Sequence, residues 1–208
     1  MSLLGTLTLS LALSAAADLT AEDFRIYCGW QGEIAKDENK SLAKDKQLAK
    51  VAKLAKVSPK DLKKIVAKGD GAGGSCEAIA KDHESRARKA LEGTPLAARV
   101  ESLQLDFDDP THVVAYVKWK GEQEKRLEEE ASLIAWAVGS NAPIVRTLSI
   151  RAVDPKDGET ALLEGKISAE QMTKIDKARI DSFADARYMK LFDGVIFANP
   201  HLHQASLK

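Results

Sequence analysis

Residues 100–119, VESLQLDFDDPTHVVAYVKW, mark the point where the chain changes period. Leu103, Leu105 and Phe107 alternate with Ser102, Gln104 and Asp106, and Val113, Ala115, Val117 and Trp119 repeat the alternation further on. A period of two puts every second side chain on one face, as in a half-buried strand. Between the two runs, Asp108-Asp109-Pro110-Thr111 supplies turn chemistry: carboxylates that bond nearby backbone and a proline with fixed φ. A hairpin over 99–119 follows.

Downstream, 121–138 reads as a helix ending at Gly139. Its first half, with Glu122, Glu124, Arg126 and Glu128 to Glu130, is expected to be solvated. Its second half, Leu133 to Val138, is apolar all round and must be covered. Residues 144–153 give a third strand, Asp154 to Gly158 a turn, and 159–167 a fourth strand. Ser168 with Gln171 forms a capping box for a closing helix to about residue 193, stopped by Gly194. The expectation for 96–208 is ββαββα, a four-stranded antiparallel sheet with helices on one face and a C-terminal tail.

Upstream of Pro95 the apolar spacing is helical. Helices are predicted over 20–36 and 41–57, then a short one from Ser58-Pro59 to about Lys68. The glycine-rich loop 69–74 separates these from a Ser75-capped helix that ends at Gly93-Thr94-Pro95. The fold class is therefore α+β, with a lysine-rich helical domain over 18–95.

Two cysteines, Cys28 and Cys76, fall on apolar helix faces: one with Phe24, Tyr27 and Ile34, the other with Ile79, Ala80 and Ala87. Those faces are expected to meet in a core. In an exported chain the simplest outcome is a Cys28–Cys76 disulfide; the alternative is two buried thiols. The absence of CxxC argues against a redox centre.

Residues 3–17 carry no charge and end in Ala15-Ala16-Ala17 before Asp18. This is the apolar core and cleavage site of a signal peptide over 1–17. The usual basic start is missing, so the peptide is atypical or its true start lies upstream. At about 15 residues it is short for a spanning helix, which needs roughly 20. A buried first element or an uncleaved anchor is the competing reading.

The chain has 31 basic and 31 acidic residues and no net charge. That average hides a segregation: residues 40–68 hold ten lysines against Asp45 and Asp61, a local +8. Lys46, Lys50, Lys53, Lys60, Lys63 and Lys64 are the candidate contacts for an anionic partner, an envelope protein or an anionic membrane surface. The spacing of Val51, Ala52, Ala55, Val57, Leu62 and Ile65 also fits a helix-turn-helix. It departs at Lys56, where that motif usually has glycine, and its second helix lacks Arg, Asn or Gln to read bases. Nucleic acid is accordingly disfavoured.

Other constellations are weak. The 69–74 loop lacks the strand and Gly-Lys-Ser/Thr of a phosphate loop. His83-Glu84 is half of a zinc motif, with Ala87 where the second histidine belongs, so a core histidine is expected. Asp106, Asp108 and Asp109 lack calcium-loop spacing, and His112, His201 and His203 have no third donor in view. No metal and no cofactor are expected. The leading expectation is an exported, non-enzymatic binding or assembly protein of the periplasm or cell envelope. The alternatives are a small carboxylate-dependent hydrolase and a cytoplasmic helix-turn-helix DNA-binding protein.

Overall fold

The computed structural model describes residues 19–121, 126–180 and 186–197. The signal-peptide reading of 1–17 lies outside them.

Helix α1, Ala21–Ala35, starts where sequence chemistry demands it: Thr20 and Asp23 satisfy each other's backbone N–H in a capping box. A single turn, α2 (Asp37–Lys40), leads into α3, Lys44–Ala55, and α4, Pro59–Gly71. The Ser58 hydroxyl caps α4 by accepting from the Asp61 N–H at 3.1 Å, and Ser75 caps α5, Cys76–Leu91, in the same way. Helix α4 runs on through Gly69, which the sequence reading assigned to a loop. The cause is packing rather than propensity. The ring of fully buried Tyr27 lies so close that a Cβ at Gly69 would sit 2.3 Å from it. Glycine lets α1 and α4 touch there.

The sheet has five strands in the order β1-β2-β3-β4-β5: β1 Val100–Asp106, β2 Val114–Lys120, β3 Thr147–Val153, β4 Ala161–Ser168 and β5 Asp193–Phe197. The predicted hairpin is present, with Leu103 opposite Val117 and Leu105 opposite Ala115. Two expectations are corrected. The sheet is mixed, not antiparallel, because β2 and β3 are parallel, with Val117 opposite Ile150. Helix α6, Leu127–Asn141, is the reason: one helix laid along the sheet carries the chain back to the end where β2 began. The sheet also has five strands rather than four. The expected closing helix appears as short turns, α7 (Ala169–Met172), α8 (Lys177–Ile180) and α9 (Ala186–Met189), and the chain then adds β5 beside β4. Met172, Ile175, Ile180, Met189 and Phe192 are all buried. At 100° per residue they would point around the whole circumference of a straight helix, so a bent path is needed to turn them all inward.

One buried cluster runs from Phe24 and Tyr27 through Ile79 and Leu91 to Val117, Ile134, Ile150 and Leu163. Helix α5 packs against α6 and β1, and α6 lies against β3 and the short helices, so its apolar second half is covered. Glu130, expected in the solvated half of α6, is 3% exposed. Its carboxylate accepts from Trp119 Nε1 at 2.8 Å and lies 2.6 Å from Arg99 Nη1, which makes a buried charge tolerable. On the outer edge of β1, Arg88 donates to the Leu103 carbonyl at 3.4 Å and Glu84 accepts from the Leu105 N–H at 3.3 Å. These α5 side chains occupy backbone groups that an exposed edge strand would offer to another chain.

Candidate functional site

Helix α4 is tied to its neighbours before it presents any lysine. Cys28 and Cys76 form a disulfide between α1 and α5, with Cα atoms 5.8 Å apart. Tyr27 donates to Asp70 Oδ1 at 2.9 Å, and Gln31 Nε2 donates to the Tyr27 hydroxyl at 2.8 Å and to the Gly74 carbonyl at 3.3 Å. Burial, and then the bond to Asp70, push the Tyr27 pKa up. Lys68 pairs with Asp23 at 3.0 Å. Leu48, Val51 and Ala52 of α3 and Leu62, Ile65 and Val66 of α4 are buried on the inner side.

What remains outside is basic. Lys46, Lys50 and Lys53 on α3 and Lys60, Lys63 and Lys64 on α4 are all exposed. Two of the six are engaged: Lys50 donates to Glu38 at 2.9 Å and Asn39 at 2.8 Å, and Lys64 lies 3.7 Å from Asp61. The Ser58 hydroxyl, then Lys64 and Lys60, hold the Asp61 carboxyl below its ordinary pKa. Lys46, Lys53, Lys60 and Lys63 make no ion pair among the described residues.

The turn between the two helices closes α3 with a left-handed cap. Lys56 takes the left-handed conformation, φ 57°, and the Val57 N–H donates back to the Ala52 carbonyl at 3.0 Å. Among the described residues it is the one non-glycine with positive φ. The position where the motif usually has glycine is therefore left-handed here too, held by a residue that pays a steric cost there.

A second exposed surface is the sheet face away from the helices. Register sets two rows across it: Gln104, Tyr116, Ser149, Lys166 and Asp193, then Ser102, Lys118, Arg151, Glu164 and Ile196. All of them but Gln104 line a shallow open depression of about 610 Å³. Its charges are largely self-satisfied. Glu101 takes Lys118 at 2.9 Å and Lys120 at 3.5 Å, and Arg151 lies 3.3 Å from Glu164. Lys118 first, with Lys120, draws the Glu101 pKa down.

The minor constellations resolve into structure. His83 is buried, its Nδ1 2.6 Å from Arg86 Nη2 and 3.3 Å from the Asn141 carbonyl. Asp106 and Asp109 accept from the backbone of Asp108 and Thr111, closing the hairpin turn. His112 Nε2 lies 3.4 Å from the Thr147 hydroxyl, and His201 and His203 lie outside the described residues. Among the described residues no group of three or more His, Cys, Asp or Glu is placed to hold a metal. Ion pairs and hydrogen bonds draw down the pKa of Glu22, Glu33, Asp61, Glu77, Glu101, Asp109 and Asp157.

Sequence reasoning passed over Leu54. It is 61% exposed, among the largest exposures of any big apolar side chain described, and continues the row of Lys46 and Lys50. The spacing of those three residues, i, i+4 and i+8, was the available signal. No protein-family model, curated protein or solved structure matches the chain.

Proposed function

We propose that the protein is an exported, non-enzymatic binding or assembly component of the periplasm or cell envelope. It attaches to an anionic partner through the lysine face of α3 and α4. The observation that carries this reading is the set of exposed Lys46, Lys53, Lys60 and Lys63, none in an ion pair among the described residues, on α3 and α4, with α4 tied to α1 by the Tyr27–Asp70 hydrogen bond. Like charges three and four apart on a helix repel, so such a face is a standing cost unless an anion meets it. The disulfide is compatible with an oxidising compartment.

The test is co-sedimentation with the envelope fraction of the native host. The protein pellets at low salt and is released at high salt. Changing Lys46, Lys53, Lys60 and Lys63 together to Gln leaves it in the supernatant. A quadruple variant that pellets like the parent refutes the reading.

The left-handed turn at Lys56 favours one second reading, a helix-turn-helix that grips duplex phosphates. With Lys60, Lys63 and Lys64 along the outside of α4, such binding would be insensitive to sequence.

A further inference from the structure

We infer that the anionic partner is a lipid bilayer and that Leu54 is the side chain that enters it, an inference that rests on the lysine-face reading above. Leu54 is 61% exposed in the last turn of α3, at the corner where the chain bends through Lys56 into α4. It lies on the same helix row as Lys46 and Lys50, with Lys53 beside it, while the inward stripe of α3 is already filled by Leu48, Val51 and Ala52. The other large exposed apolar side chains described, Tyr116 and Ile196, belong to the sheet.

A lone exposed aliphatic side chain on a lysine-rich helix, with Lys50 one turn before it and Lys53 adjacent in sequence, matches the two layers of a bilayer interface. Ammonium groups sit among anionic headgroups, while the leucine reaches the headgroup–acyl boundary, about 5–10 Å deep. A polyphosphate or nucleic-acid partner satisfies the lysines and gains nothing from Leu54. A protein partner would favour a charge-depleted, aromatic-rich centre, which this face lacks. No helix among the described residues is long and apolar enough to cross a membrane, so the contact proposed is peripheral.

The test compares binding to vesicles of phosphatidylglycerol and phosphatidylcholine with binding to soluble polyphosphate. Both are measured for the parent, Leu54→Ala, Leu54→Phe and the quadruple lysine variant, after thermal melts establish folding. Leu54→Ala is expected to bind the vesicles roughly tenfold more weakly and polyphosphate unchanged. Leu54→Phe keeps vesicle affinity, and the quadruple variant loses both. If Leu54→Ala matches the parent on vesicles while the quadruple variant fails, the bilayer inference falls and the lysine-face reading stands. A parent that binds polyphosphate or duplex DNA but not vesicles also overturns it, as does equal loss on both probes in Leu54→Ala. A parent that binds neither probe removes both.

Discussion

The sheet's open face and the lysine face of α3 and α4 both expose cations, but they use them differently. On the sheet, Lys118 and Lys120 share Glu101, and Arg151 meets Glu164 on the neighbouring strand. On the helices, Lys46, Lys53, Lys60 and Lys63 face solvent and make no ion pair among the described residues. The number of cations on a surface therefore says less about binding than whether the fold has already neutralised them. On the function proposed above, the unpaired surface is the one that an anion meets.

The largest expected effect is on α1, the helix that α3 and α4 pack against, and its bridge to α5. Replacing Cys28 and Cys76 by serine frees a crosslink spanning 48 positions. In the chain-entropy model this costs about 4 kcal/mol, read as a lower urea midpoint. Next is the buried pair on the sheet side. Arg99→Met strands Glu130 and is expected to cost about 3 kcal/mol, the lower end for a broken buried pair because Arg99 reaches solvent. Glu130→Gln together with Arg99→Met recovers part of that loss if the uncompensated charge is its cause.

A smaller effect bears on the comparison itself. The quadruple variant Lys46, Lys53, Lys60 and Lys63→Gln removes several like-charge neighbours. It is expected to be about 1 kcal/mol more stable than the parent at low ionic strength, from a few tenths per pair. The gain fades near 1 M salt, where screening acts within about 3 Å. Equal stability at low salt would mean that the lysines do not strain the free protein.

The smallest effect is acidic and local. Hydrogen bonds from the Thr160 hydroxyl, and from the backbone N–H groups of Glu159 and Thr160, hold the Asp157 carboxyl at about 2. Its folded pKa lies below its unfolded value, so its contribution is full above about 3.8 and is lost as pH falls toward about 2. Asp157→Asn should flatten the pH dependence of stability in that window. A carbon-detected NMR titration with a midpoint near 3.8 would contradict the assignment.

Much of the architecture was legible from local pattern. Alternation at Leu103, Leu105, Val113 and Val117 marked the hairpin, and cysteines on two inward faces marked the bridge. What escaped depends on partners distant in sequence. The parallel pairing of β2 and β3 follows from the path of α6, not from either strand. Strand β5 offers only Val195, Ile196 and Phe197 after a glycine, too few to show a period. Glu130 looks solvated beside Glu128 and Glu129 until Arg99 and Trp119 come to it. The lysine face was legible as charge but not as free charge. Lys50 finds Glu38 and Asn39, and the exposure of Leu54 depends on which stripe of α3 the core accepts.

The most direct test of the central claim sets the two faces side by side on anionic vesicles. One variant neutralises Lys46, Lys53, Lys60 and Lys63; the other neutralises the paired Lys118, Lys120 and Arg151. At about 1 kcal/mol per lysine near the lipid, the helical variant should lose roughly a thousandfold in affinity, while the sheet variant binds like the parent. Loss confined to the sheet variant, or equal loss in both, would contradict the account.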